Sequence, residues 1–241
     1  MADSLYDDPR YARLYDVFES DRPDLDVYEA MVDEFGAGTV LDVGCGTGTF
    51  SCRLADRGLA VIGVDPAGAS LEVARTKPGA DRVRWIHGDA TTLPPVQVDL
   101  AIMTGNVAQV FLTDADWSAT LRGIRQATRP GGRLVFETRD PARRAWESWD
   151  RTGTFQRVDV PGLGPVESWD QVTAVDGELV TLESETTVLA DRTTVTGSMT
   201  LRFRTRDDLE VSLADAGYRV DEVRDAPDRP GREFVFVCTR T

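Results

Sequence analysis

At 241 residues, 41% hydrophobic and 28% charged, the chain has the length of one α/β domain carrying an insertion and can bury a sizeable core. Its net charge of −14 counts against a nucleic-acid partner, because proteins that grip phosphates usually carry a basic patch. No apolar run of about eighteen residues occurs, and Met1-Ala2-Asp3-Ser4 opens with neither a basic region nor an apolar core. Neither a membrane span nor a signal peptide is therefore expected, and Cys45, Cys52 and Cys238, which form no Cys-x-x-Cys pair, fit reduced thiols in a cytoplasmic protein.

In chain order, residues 1–38 read as a helical cap. Leu25, Tyr28, Met31, Val32 and Phe35 recur every three or four residues between Pro23 or Asp24 and Gly36. Strands and helices then alternate over 39–140, the pattern of a parallel sheet covered on both faces. Strands are expected at 40–43, 60–65, 83–87, 98–103 and 133–137, the last entered through a Pro130-Gly131-Gly132 turn. Asp114 is the expected cap of a helix that carries Trp117, Leu121 and Ile124 inward. Beyond Pro141 weak helical signal continues, and residues 155–203 become β. Asp176-Gly177 and Ala190-Asp191-Arg192 are turns between three expected antiparallel strands, so residues 141–204 read as an insertion. Thr205-Arg206-Asp207-Asp208 starts a last helix, and residues 218–224 and 233–238 supply a closing hairpin within 205–241.

The most informative segment is Val40-Leu41-Asp42-Val43-Gly44-Cys45-Gly46-Thr47-Gly48-Thr49. A buried strand here feeds a glycine turn, and a helix begins near Thr49 and presents free N–H groups to a ligand. A dinucleotide fingerprint would place its third glycine one residue later, at position 49. Asp42 would repel a diphosphate but attract the ammonium of an amino acid. Downstream, Asp65 ends the second strand, where a carboxylate accepts ribose hydroxyls, and Gly88-Asp89-Ala90 ends the third. With these strand ends in this order, residues 35–140 resemble the class I S-adenosylmethionine-dependent methyltransferases of the small-molecule type. The closing hairpin resembles them more weakly.

The resemblance implies a seven-stranded, mostly parallel, doubly wound sheet with a helical cap and an inserted antiparallel meander. It implies that S-adenosylmethionine is the cofactor and S-adenosylhomocysteine the product. Gly44, Cys45, Gly46, Gly48, Pro66, Ala90, Met103 and Thr104 would line its site with Asp42 and Asp65, and Asp89 would receive the adenine amine. It also implies that the cap, with Tyr11 and Tyr15, folds over the cofactor, and that the acceptor pocket lies past strands four and five. Tyr15 is then either a hydroxyl near the sulfonium or a packed aromatic. Asn106, the only asparagine, is either a substrate ligand or a turn former after Gly105. Glu137 is a possible proton acceptor and Arg139 a carboxylate clamp, unless the two form an ion pair across a solvated strand end. Trp146, Trp149 and Trp169 either line an apolar pocket or anchor packing, and the sole histidine, His87, lies on the adenine side, away from the methyl group.

Transfer from a sulfonium needs mainly positioning, and no metal-binding constellation stands out. The tetrad Asn/Asp-Pro-Pro-aromatic of enzymes acting on base amines is absent after strand four, which with the charge favours a small-molecule acceptor, on nitrogen or oxygen. Two other functions compete: an NAD-dependent oxidoreductase, and a cofactor-binding sensor or assembly subunit without turnover. The insertion would serve as a lid or as a contact in a homodimer.

Overall fold

The computed structural model describes residues 5–18 and 22–241; residues 1–4, on which the expectation of no signal peptide rests, lie outside them. Two helices, α1 (Pro9–Phe18) and α2 (Asp24–Glu34), precede the sheet. Then come β1 (Thr39–Val43), α3 (Thr49–Asp56), β2 (Ala60–Asp65), α4 (Gly68–Ala74), β3 (Val83–His87), β4 (Val98–Met103), α5 (Asp114–Ala127) and β5 (Thr128–Arg139). After the insertion follow α7 (Arg206–Asp215), β10 (Tyr218–Asp225) and β11 (Glu233–Arg240). The seven-stranded sheet has the order β10-β11-β5-β4-β1-β2-β3. β11 runs antiparallel to both its neighbours, and the remaining pairs are parallel.

Alternation along the strands builds two cores, one on each face. Leu41, Val43 and Ala101 pack with Trp117, Leu121 and Ile124 of α5 and with Leu209 and Leu213 of α7. Val40, Leu100 and Ile102 pack on the opposite face with Leu25, Met31 and Val32 of α2 and with Phe50 and Leu54 of α3. Each fully buried large side chain of this kind is worth roughly 1.5–3 kcal/mol, so both layers hold the strand tips in a rigid frame.

Three local expectations change. The cap of α5 is Thr113, whose hydroxyl accepts from the Asp116 N–H at 3.1 Å; Asp114 falls inside the first turn. β5 begins at Thr128, ahead of the Pro-Gly-Gly segment, and its pairing with β4 shifts register between Val98 and Leu100. The insertion has four strands, not three: β6 (Gln156–Val160), β7 (Gly164–Asp176), β8 (Leu179–Val188) and β9 (Thr193–Arg202), paired as an antiparallel meander. β6 is a short edge strand of five residues and only half-buried on its better side, so the Val158–Val160 alternation is too brief to stand out as a period. Two 3₁₀ turns and the one-turn α6 (Arg151–Thr154) lead into it.

The insertion is seated by two apolar contacts. Trp146 and Trp149 pack on Phe203, Val180 and Leu182 at one end, and Leu14 of α1 packs with Val166 and Val188 at the other. Leu5 lies against Gly197 in the middle of the sheet, where a Cβ would come within 2.7 Å of it. The N-terminal segment thus joins the inserted sheet to the main one. Trp146 and Trp149 serve as packing anchors, with Trp146 edge-on to Phe203 at 4.5 Å.

Candidate active site

The glycine turn is set by backbone geometry. The Gly44 N–H donates to the Val64 carbonyl at 2.8 Å, which ties the turn to the end of β2. Gly48, at φ +78°, opens α3, and a Cβ there would stand 2.5 Å from Trp85 and 2.8 Å from Ala74. Only glycine fits both the left-handed backbone and the contact. Gly46 differs: its φ is +51°, but a Cβ there would meet nothing within 4 Å. Its open side is the approach for a ligand at the loop.

The carboxylates expected around that ligand fall into distinct environments. Asp65, at the tip of β2, accepts the Gly46 N–H at 2.7 Å and the Ala67 N–H at 2.8 Å. Each of its oxygens keeps a lone pair for a ribose hydroxyl. Burial raises its pKa, against the pull of those two N–H groups. Asp89 uses one oxygen on the Thr91 N–H and hydroxyl, at 2.8 and 2.6 Å, and its other oxygen has room for an amine. Asp42 departs from expectation. It is 1% exposed and accepts from the Ser51 hydroxyl at 2.6 Å, so it braces the loop from the β1–α3 junction and does not face an open ligand site. Burial pushes its carboxyl up to about 6.

Met103 also departs from expectation, because strand alternation turns its side chain fully into the core and leaves only its backbone near the site. Ala90 is buried beside it. Cys45 is partly buried in the loop and its thiol pKa is raised, mostly by burial. Pro66 turns its carbonyl to His87 Nε2 at 3.1 Å, and Thr104 stands half-buried just past β4.

α1 crosses this loop. Asp16 accepts from the Thr47 hydroxyl at 2.6 Å and pairs with Lys77 at 2.7 Å, while Lys77 also donates to the Thr49 hydroxyl at 2.7 Å. Asp7 accepts the Ala69 N–H, and the Ser70 hydroxyl donates to the Tyr6 carbonyl, which fastens the same segment over α4. Tyr6, Tyr11 and Tyr15 form a triangle with ring centroids 5.8, 5.9 and 6.2 Å apart. Tyr11 and Tyr15 are therefore brought together, with Tyr6 as an unforeseen third member.

Beyond β4 and β5 a second group forms. Glu137 is 5% exposed, and both of its oxygens are engaged: the Tyr28 hydroxyl donates to one and the Asn106 N–H to the other at 3.1 Å. Burial raises the Glu137 pKa, against the hydrogen bond from Tyr28. Asn106 sits at φ +60° and turns its side-chain amide to Glu233 at 3.4 Å. Arg139 lies 3.5 Å from Glu233, donates to Gln109 at 3.0 Å and stacks 5.0 Å from the Trp149 ring centroid.

The structure thus brings Asn106, Glu137 and Arg139 into one network and leaves Tyr15 in the aromatic triangle. The expected Glu137–Arg139 pair is replaced by Arg139–Glu233, because Arg139 faces Glu233 across the β5–β11 ladder. Tyr28, Gln109, Glu233 and Arg229, which donates to Glu233 at 2.7 Å, were not foreseen. Gln109, three residues past Asn106, sits in the segment already under suspicion, whereas Glu233 is 94 residues beyond Arg139 and gives no local signal.

The glycine turn with an open side at Gly46, followed by carboxylates at the tips of β2 and β3, has the arrangement of a nucleoside-binding α/β fold. A family model described as "Methyltransferase domain" matches residues 40–132. An uncharacterized methyltransferase of Mycobacterium tuberculosis is 31% identical over 139 residues, 54% of this chain and 70% of that protein. The chain therefore belongs to the class I S-adenosylmethionine-dependent methyltransferases, which sets aside the oxidoreductase alternative, and S-adenosylmethionine is its cofactor.

Other relatives match in part. The cypemycin N-terminal methyltransferase of a Streptomyces species is 35% identical over 105 residues, 43% of each chain. A malonyl-[acyl-carrier protein] O-methyltransferase of Yersinia pestis is 34% identical over 116 residues, 46% of this chain and 42% of that protein. The chain thus spans less than half of these two relatives. Among solved structures, an amino pentose methyltransferase from Micromonospora echinaspora superposes with a TM-score of 0.71 at 23% identity, covering 95% of this chain and 97% of that one. A sugar N-methyltransferase from Streptoalloteichus gives 0.73 at 21% identity, covering 94% and 92%. At these identities the likeness concerns the fold, insertion included.

Proposed function

We propose that the protein transfers a methyl group from S-adenosylmethionine to a nitrogen or oxygen atom of a small-molecule acceptor. The observation that carries this is the open side of Gly46 between the tips of β1 and β2, with the Asp65 and Asp89 carboxylates beyond it and a second polar group past β4 and β5. When bound, the cofactor supplies an electrophilic methyl on a sulfonium. Asp65 holds its ribose, Asp89 the adenine amine, and the glycine loop its amino-acid end, with α1 closing over it through Asp16 and Lys77.

Positioning is the main contribution asked of this chain, and oriented systems gain roughly 7–11 kcal/mol that way. Glu137 serves as a positioning residue, since both its oxygens are spent on Tyr28 and the Asn106 turn. The names of the relatives support both acceptor atoms: one is an N-terminal methyltransferase of cypemycin, one a malonyl-[acyl-carrier protein] O-methyltransferase and one an amino pentose methyltransferase. The charge of −14 supports a small acceptor over nucleic acid.

No helix among the described residues is long and apolar enough to cross a membrane, and a cytoplasmic homodimer, paired through an edge of the inserted sheet, completes the proposal. Light scattering at micromolar concentration tests the dimer. The test of the activity is calorimetric titration with S-adenosylhomocysteine followed by a labelled-methyl assay. Micromolar binding that Asp65→Ala abolishes supports it, and absence of binding to the wild type refutes it.

A further inference from the structure

The inserted sheet turns one face toward α1 and the strand tips, and that face changes character along its length. Its ends are apolar: Val166 and Val188 meet Leu14, while Val180, Leu182 and Leu201 meet Trp146 and Trp149. Its middle is polar. Ser168 lies opposite Thr186 with their hydroxyls 2.9 Å apart, and Asp170 lies opposite Ser184, whose hydroxyl donates to it. Thr186 and Ser184 are 1% and 5% exposed, so this polar band is covered rather than solvated.

Asp170 is the anomaly in the band. Its carboxylate is partly buried, Ser184 is its one hydrogen-bonding side chain, and no cation among the described residues acts on it. A carboxylate withdrawn from water without a counter-charge destabilises the fold. Its main chain is nevertheless pinned in place, donating to and accepting from the Thr154 hydroxyl at 2.8 Å. The N-terminal segment reaches the same face of the inserted sheet. Leu5 touches Gly197, which pairs with Ser184, and the next residue, Tyr6, opens the tyrosine triangle. Clustered aromatic rings attract cations through their electron-rich faces.

We propose that Asp170 with Ser184 forms the acceptor's ammonium subsite, so that the protein acts on small molecules bearing a basic amine. The missing counter-charge is the substrate's own, which seats the acceptor between the inserted sheet, the tyrosines and the strand tips. This rests on the methyltransferase function proposed above and assigns the insertion a direct part in recognition. Asp170 binds the acceptor; the methyl donor sits at the other end of the cleft.

The test compares wild type with Asp170→Asn, both saturated with S-adenosylhomocysteine, using glucosamine and glucose as a matched amine and hydroxyl probe. Titration followed by NMR is expected to show glucosamine bound by the wild type, at least about tenfold weaker binding to the variant, and no binding of glucose. S-adenosylhomocysteine affinity stays within about twofold in Asp170→Asn, and its thermal midpoint at pH 7.5 equals or exceeds that of the wild type, because an uncompensated charge is removed. The inference is overturned by equal binding of the two probes, by no glucosamine binding, or by unchanged glucosamine affinity in the variant. A midpoint several degrees lower in Asp170→Asn also overturns it, since that marks a structural carboxylate. Failure of the wild type to bind S-adenosylhomocysteine instead refutes the methyltransferase function itself.

Discussion

The two ends of the cleft are built in opposite ways. At the cofactor end, one contiguous run of ten residues makes the β1 tip, the turn and the start of α3, and more distant residues such as Val107, Trp85 and Ala74 pack against it: two glycines have positive φ and close neighbours, and a third is left open. At the proposed acceptor end the main contacts join distant parts of the chain, Tyr28 to Glu137, Asn106 to Glu233, and Leu5 to Gly197. A conserved chemistry needs only a fixed shape for an unvarying ligand, while a variable ligand is met by side chains assembled from several elements.

That contrast makes graded predictions. The largest effect belongs to Gly48→Val. The left-handed backbone and the contact with Trp85 and Ala74 should together cost about 3–5 kcal/mol in chemical denaturation, enough to unfold much of the population. Gly46→Ala separates folding from binding at the same loop. It should lose only about 1 kcal/mol of stability to backbone strain, yet weaken S-adenosylhomocysteine by at least about tenfold because its Cβ enters the ligand's space. Equal stability losses in the two variants would erase the distinction between them.

Next comes Tyr28→Phe, which strips a donor from the buried Glu137 carboxylate. An unfolding loss of about 1–3 kcal/mol is expected, with methyl transfer reduced through kcat more than through cofactor affinity. A loss of cofactor affinity alone would show that the two ends are not separately built.

The pH dependence of Asp42 has a defined sign. Its folded-state pKa, about 6, lies above the ordinary 3.8, so the folded protein binds more protons between those values. Stability from this group is therefore greatest in acid and falls as pH rises from about 4 to about 6, by about 2–3 kcal/mol at most. Subtracting the pH–stability curve of Asp42→Asn from that of the wild type should recover this slope. A flat difference would contradict it.

The smallest effect is expected for His87→Gln. His87 is exposed, and its Nε2 meets the Pro66 carbonyl at 3.1 Å, so turnover should stay within about twofold.

Sequence patterns were enough where structure is made locally. The period of Leu25, Tyr28, Met31 and Val32 gave α2, the Thr205 box gave α7, and the ordered signals at 44–48, 65 and 89 gave the family and its sheet. The same patterns failed for β6, which is short and half-exposed, and for the Asp42 and Met103 side chains, whose direction is set by packing behind the loop.

What the amino-acid sequence determined by itself is the family and the cofactor, because a glycine turn and three strand ends lie in a fixed order along the chain. Only the tertiary structure decided what each polar residue at the acceptor end does. Arg139 meets Glu233 instead of Glu137 because an antiparallel last strand folds back beside β5, and Asp170, on the inserted sheet's inner face, finds its hydrogen-bonding side chain in Ser184 of the neighbouring strand. Pairings between residues so far apart in sequence are fixed by register and burial, which no local pattern encodes.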